Sequence, residues 1–444
     1  MTQSARKFFD NNYLDRCQVA TPLSLVEWVW EQIHQVRSAP FRSVLDLGCG
    51  DARFALYGRY ERYTGIEIDE EHTLCRDLPS KAQVHYGCAL LTPFQGHDLC
   101  VGNPPYVRHH DMDQDWQRSV ADTISALIGA PVDLRANAFL YFMAKALAST
   151  RNDGLVALVV PFEWVARPSA EWIRRFINQN GWSVRVYRLP EGIFPRVLTT
   201  ASLTIIDKSK KNGQWCYYDV AEDFSVRKVN RPTGTEHETL AYSPRSNSLY
   251  AQRGLSPGSQ KVFCLTEEER LHHGLKVGRD VCPCVTSLRT LPSHFKVLSN
   301  DRFWEYYVSQ NARCWLIRSD RDSLSEALQA YLDSVKPEER NTATCQNRPV
   351  WYRYKRPEPA RLLFSTGFVK HGPQILENSA GAVHLGGVGG IYGDEELPYR
   401  KIAGQLRSID FENRIIHHAK SLRKLEINQM NTVLQEVLGY LHAR

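Results

Sequence analysis

The segment Gly102-Asn103-Pro104-Pro105-Tyr106 carries the most specific chemistry in the chain. Two successive prolines remove two backbone donors and stiffen the turn, so that carbonyl oxygens and the Asn103 amide can converge on one point. That point calls for a hydrogen-bond donor. An amine on an aromatic ring is a poor nucleophile because its lone pair is delocalised into the ring. Two acceptors on its hydrogens, the Asn103 side-chain oxygen and the Pro104 carbonyl, favour the tetrahedral form with the lone pair released. Direct attack on an activated methyl group then needs positioning and electrostatics rather than a covalent intermediate. Tyr106, next to the acceptors, is placed to stack on a planar base extruded from a duplex. The competing reading is a plain tight turn, since Asn-Pro and Pro-Pro commonly form turns.

A second constellation lies upstream. Gly48-Cys49-Gly50 falls where an apolar strand ends, so backbone can approach a ligand with no Cβ in the way. Glu67, about twenty residues on at the end of the next apolar stretch, is where an acid accepts hydrogen bonds from ribose hydroxyls. Asp46 precedes the turn, and Ala52-Arg53 stands where a dinucleotide site would have its third glycine. No pyrophosphate needs cradling, and an acid at that strand end suits the cationic, amine-bearing methionine part of S-adenosylmethionine.

The elements that must position these residues are legible as alternating patterns. A helix is expected from Leu23 to Ile33, with Thr21 as N-cap and Pro22 in its first turn. Strands are expected at Ser43–Leu47, Tyr63–Asp69, Gln83–Tyr86, Asp98–Val101, Leu155–Val160, Ser183–Leu189 and Thr199–Ile206, with helices after the glycine turn, over Asn137–Ala148 and over Ser169–Ile177. This alternation implies an α/β fold, a doubly wound, mostly parallel Rossmann-like sheet, over residues 1–228. The polar stretch 229–247, with Pro232, Gly234 and Pro244, reads as a linker to a second domain over 248–444.

Two domains suit a chain of 444 residues, and 43% hydrophobic with 23% charged residues is the composition of an ordered globular protein. The net charge of +6 permits contact with a polyanion without demanding it. Met1 to Lys7 contains no apolar signal core and no apolar run is of membrane-spanning length, so a cytoplasmic location without membrane contact is expected. The 11 cysteines lack a repeating spacing, and Cys282-Pro283-Cys284 has neither a second pair nor a histidine at zinc-site spacing, so packing cysteines are expected and no metal. Gly386-Gly387-Val388-Gly389-Gly390 is followed by no Lys-Ser/Thr pair, which leaves a loop near nucleic acid or a plain turn.

Taken together, these segments resemble the gamma-type N6-adenine DNA methyltransferases of restriction-modification systems, the Taq-type, Asn-Pro-Pro-Tyr family, over most of residues 13–207. The resemblance implies a class I methyltransferase domain followed by an α+β DNA-recognition domain. It makes Thr21, Asp46, Gly48, Gly50 and Glu67 cofactor contacts and Asn103, Pro104, Pro105 and Tyr106 the catalytic tetrapeptide. It also makes Phe194, in Gly192-Ile193-Phe194-Pro195, the ring that stacks with Tyr106 on a flipped adenine. Where the family usually has an acid against the cofactor adenine, this chain has Cys88. The implied substrate is double-stranded DNA and the implied partner a restriction endonuclease, the enzyme itself being a monomer that modifies without cleaving. Gly254 to Gly258 and Trp351 to Pro357, where aromatics interleave with Arg353, Lys355 and Arg356, are the segments expected against DNA, a half-buried aromatic strand being the alternative for the second. Competing functions are methylation of an RNA base or a protein glutamine, and DNA binding without catalysis.

Overall fold

A computed structural model describes residues 19–71, 73–75, 77–194, 200–229, 243–246, 248–412, 414–415, 417–419 and 422–442. The expected linker lies largely outside the described residues, as do Met1 to Lys7, Pro195 and Thr199. The chain divides into two compact units, one of Met1–Glu236 with Ile416–Ser421, the other of His237–Ile415 with Leu422–Arg444.

The first unit is built on a nine-stranded sheet: β1 (Phe41–Leu47), β2 (Tyr60–Glu67), β3 (Ala82–Tyr86), β4 (His97–Gly102), β5 (Thr150–Pro161), β6 (Ser183–Arg188), β7 (Ala201–Asp207), β8 (Trp215–Val220) and β9 (Val226–Val229). Their order is β3-β2-β1-β4-β5-β7-β6-β8-β9, with β7 antiparallel to both β5 and β6. β1, β2, β3, β4 and β5 are mutually parallel, so their carboxyl ends share one edge.

Apolar faces decide which helix covers which side. Helix α1 (Leu23–Val36) turns Leu25, Val26, Val29 and Ile33 inward, each 0% exposed, against Val44, Leu99 and Leu155. Burying side chains of this size stabilises by roughly 1.5–3 kcal/mol apiece. The opposite face is covered by α2 (Gln114–Ile128), α3 (Ala138–Ser149) and α4 (Glu171–Gln179). Helix α2 is not among the expected elements, although its signals are in the chain: Asp113 caps the N–H groups of Asp115 and Trp116, Gly129 ends the helix at φ 67, and Trp116, Val120, Ile124 and Ile128 recur at helical spacing. The strands β8 and β9 are likewise additional to the expected ones.

Two local expectations are corrected. The residues after the glycine turn form a 3-10 turn, Arg53–Leu56, because left-handed Ala52 (φ 60) redirects the chain and Phe54 and Ala55 bury at once. Helix α1 starts at Leu23 with Pro22 in the cap position and no side-chain cap; the Thr21 hydroxyl is used elsewhere.

The second unit is α+β. A five-stranded sheet (Leu249–Gln252, Val388–Gly393, Leu362–Ser365, Ile375–Asn378, Val297–Leu298) carries helices Tyr399–Ser408 and Ile427–His442 against it. A four-stranded sheet contains Cys282 and Cys284 on the buried strand Val281–Val285. Trp351, Tyr352 and Tyr354 pack inward, Tyr354 donating to the Ile317 carbonyl at 2.5 Å, while Arg353 and Arg356 face Asp322 and Asp320 at 3.4 Å each. The aromatics expected to stack on DNA are half-buried and packed against the core. Gly389 and Gly390 form no loop: they lie in a strand under the Phe364 ring and the His384 imidazole, and a Cβ on Gly389 would come 2.2 Å from Phe364 Cζ. Gly389→Ala is expected to destabilise the protein by about 1–3 kcal/mol, the scale for overpacking a core. An unchanged denaturant midpoint would show that the Phe364 ring yields freely.

Candidate active site

The Asn103 turn leaves the carboxyl end of β4 directly, beside the turn that leaves β1. Gly48 adopts φ +74 and Gly50 φ +57, backbone that side chains rarely tolerate. A Cβ on Gly48 would sit 3.3 Å from Pro105 Cδ and 3.5 Å from Phe142, so the turn is closely backed by the tetrapeptide and by α3. The Gly48 and Cys49 N–H groups donate to the Ile66 carbonyl at 2.8 and 2.9 Å, fastening the turn to the end of β2.

Asn103 is held by one end of its amide. Its Nδ2 donates to Thr21 Oγ1 at 3.1 Å and faces the Val19 carbonyl at 3.5 Å, while its buried Oδ1 has no hydrogen-bond partner. An orphaned buried acceptor is costly unless something completes it. Thr21, 3% exposed, is itself gripped by Arg53, whose guanidinium donates to the Thr21 carbonyl and pairs with Asp51 (Nε to Oδ1 2.8 Å). Burial pushes the Asp51 carboxyl up, but hydrogen bonds from Arg53 and its charge outweigh this and hold it below the usual range. Tyr106 donates its hydroxyl to the Val159 carbonyl at 3.0 Å and meets Phe139 edge-on, 6.2 Å between centroids. Its ring is fixed from β5 rather than free to swing.

Asp46 is 1% exposed; Oδ2 accepts from the Tyr63 hydroxyl at 2.5 Å, and Oδ1, against Gly102, has no partner. Burial pushes its carboxyl up to about 8, with the nearby carboxylates of Glu67 and Asp51 adding to the rise and Tyr63 opposing it. A cation placed at Oδ1 would reverse that penalty. Glu67 accepts from the N–H groups of Gly50 (2.8 Å), Ile68 (2.9 Å) and Asp69 (3.0 Å). A carboxylate offers about four acceptor positions, which leaves one on Oε2 rather than a free pair. Glu67 therefore shapes the glycine turn and keeps one acceptor position open.

Cys88 is half-buried, its carbonyl accepting from Thr92 Oγ1 at 2.8 Å in the turn after β3. Phe194 is apart from this group. It is 4% exposed, in the core on the α1 side with Trp28 and Tyr187, whereas Tyr106 packs against the core on the α3 side. In this conformation Phe194 offers no open face to a base, because its ring is part of the core. Arg53, Asp51 and Tyr63 join the site without having been singled out by the sequence patterns; an arginine two residues after an acid at the end of the glycine turn was the available signal.

Two partnerless buried acceptors, Asn103 Oδ1 and Asp46 Oδ1, flank a glycine turn at the carboxyl edge of a sheet ordered β3-β2-β1-β4-β5-β7-β6 with β7 reversed. This is the class I methyltransferase fold, with unsatisfied acceptors gathered at its carboxyl edge. Residues 65–194 match the Eco57I restriction-modification methylase family. The Type II methyltransferase M.XamI of Xanthomonas campestris pv. amaranthicola is 22% identical over 95% of this chain and 84% of its own length. The Type II methyltransferase M.TthHB8I of Thermus thermophilus is 28% identical over 44% of this chain and 45% of its own length. Among solved structures, a type I restriction-modification methyltransferase subunit from Streptococcus thermophilus aligns at TM-score 0.37 and 18% identity, covering 46% of this chain and 47% of that one. The resemblance to restriction-modification methyltransferases read from the motifs is borne out.

Asp46 gives a stability test. An acid whose pKa is higher folded than unfolded takes up protons on folding, so its contribution falls as pH rises from 3.8 to about 8. Asp46→Asn has nothing to ionise and is expected to out-melt the natural protein by a margin that widens across this window. A margin independent of pH would show that Asp46 ionises freely.

Proposed function

We propose that the protein transfers a methyl group from S-adenosylmethionine to N6 of adenine in duplex DNA, as the modification enzyme of a restriction-modification system. The proposed layout is a catalytic domain over 1–228, a linker over 229–247 and a recognition domain over 248–444. The observation that carries the reading is the Asn103 amide, anchored through its nitrogen by Thr21 with its oxygen buried and unsatisfied. An acceptor so oriented is what an exocyclic amine requires, and a second acceptor, the Pro104 carbonyl, belongs to the same turn.

The cofactor, when bound, supplies an electrophilic methyl group on a sulfonium. The residues suited to hold it are Asp46, for the amino group, the turn Gly48 to Gly50, Glu67 through its remaining acceptor position for a ribose hydroxyl, and the Cys88 segment for the adenine. Asn103 and Pro104 draw on the two amine hydrogens of the target base, localising its lone pair for attack, while Tyr106 offers a ring fixed by the Val159 carbonyl for the base to stack on. Phe194 would join it only by leaving the core. The Type II naming of the relatives and the match to a restriction-modification family support DNA as the substrate. No described helix is long and apolar enough to cross a membrane.

The test is transfer of labelled methyl from S-adenosylmethionine to duplex DNA, followed by digestion to nucleosides. Label is expected in N6-methyladenine, falling by about 10²-fold or more with Asn103→Ala, the scale on which a preorganised polar group acts. Label in N4-methylcytosine would change the base, and label in RNA or protein instead of DNA would overturn the assignment.

A further inference from the structure

In the second unit, four strand ends converge on the turn Leu385 to Val388. The parallel strands Val281–Val285 and Val383–His384 run out side by side, with the Leu385 N–H donating to the Val285 carbonyl at 2.9 Å. Leu249–Gln252 exits into Gly254 and Leu255, where the Leu255 N–H donates to the His384 carbonyl at 2.9 Å and the Gly386 N–H to the Leu255 carbonyl at 3.3 Å. Leu362–Ser365 exits beside Val388, and Thr366 Oγ1 donates to the Gly387 carbonyl at 2.8 Å. Gln374, closing the loop that begins at Thr366, donates through Nε2 to the Pro292 carbonyl at 3.1 Å, which ties in the segment after Val285. Segments 253–260, 286–294, 366–374 and 385–388 thus form one edge.

These segments contain no aspartate or glutamate, and they expose Arg253, Arg289, His294, Lys370 and His371 around the exposed Gly386-Gly387. Arg253, Arg289 and Lys370 pair with no carboxylate among the described residues, whereas Arg270, Arg313 and Arg414 of the same unit are paired with Glu267 at 2.6 Å, Glu269 at 2.8 Å and Glu436 at 2.6 Å. Glu412, whose Oε2 accepts from the His371 N–H at 3.1 Å, is engaged by Arg423 at 3.2 Å. His371 itself is held at φ 64, uncommon for a residue with a side chain, by a loop whose ends are both fixed.

We propose that this loop edge is the surface by which the second unit grips duplex DNA, with Arg253, Arg289 and Lys370 on phosphates and the neighbouring hydroxyl, imidazole and glycine-backbone groups at base edges. The proposal rests on the DNA reading above. Unpaired cations without competing carboxylates are what phosphate binding requires, and exposed glycine backbone lets a second backbone approach closely. The site differs from Trp351 to Pro357, whose aromatics are half-buried against the core.

The experiment compares the full chain with a triple variant, Arg253→Ala/Arg289→Ala/Lys370→Ala, by fluorescence anisotropy on a short mixed-sequence DNA duplex across a salt series. A control triple, Lys276→Ala/Arg321→Ala/Lys401→Ala, removes equal charge from exposed positions outside these segments. The edge variant is expected to bind more weakly and to show a log Kd against log salt slope shallower by about 0.9 for each phosphate it no longer neutralises. The control should keep the natural slope, and both should unfold at the natural temperature. Equal weakening in the two variants, or none in the edge variant, would overturn the proposal. Natural protein that methylates DNA with an edge variant just as tight sinks this inference alone; natural protein that methylates RNA or protein and leaves DNA unlabelled sinks the reading beneath it.

Discussion

The candidate site depends on a single hydrogen bond between residues 82 positions apart, from Asn103 Nδ2 to Thr21 Oγ1. An amide has a donor end and an acceptor end, and fixing the first aims the second. Without Thr21 the Asn103 amide is free to turn and present N–H groups where its acceptor oxygen now stands. Much of the first unit serves this contact. Helix α1 must pack on the sheet to bring Thr21 over β4, Arg53 must hold the Thr21 carbonyl, and Asp51 must hold Arg53.

The same geometry explains the cost visible around it. Asp46 is buried against Gly102 with an unsatisfied oxygen and a carboxyl pushed up to about 8, a poor arrangement for a stable empty core. It becomes favourable with a cation beside it. The unfavourable burial is local, and the packed faces on either side of the sheet hold the frame in place.

The second unit applies close packing to a different end. Rings of Phe364 and His384 fill the space that glycines leave in strand Val388–Gly393, which locks the turn Leu385 to Val388 to its sheet. A rigid turn can then collect the ends of four strands into an edge whose cations stay free because the chain puts its carboxylates elsewhere.

The sequence determined seven of the nine strands of the first sheet and the turn at Asn103, because both are local signals. Apolar runs of strand length, the Gly48 to Gly50 turn and Asn103 to Tyr106 each state their conformation within a few residues, and the expected strands fall within a few residues of the observed ones. Helix α2 is equally local, since Asp113 and Gly129 bound it, yet its apolar residues are interspersed with polar ones and form no continuous run. Only the tertiary structure decided how side chains were spent. Thr21 turned from capping a helix to orienting Asn103, Glu67 committed three acceptor positions to backbone, Phe194 went into a core, and Trp351 and Tyr354 packed half-buried against another. Which of many basic residues remain unpaired was likewise beyond the sequence. The physical reason is the same throughout: a conformational preference is written in neighbouring residues, whereas the partner of a polar group or a ring is set by whatever distant segment the fold brings against it.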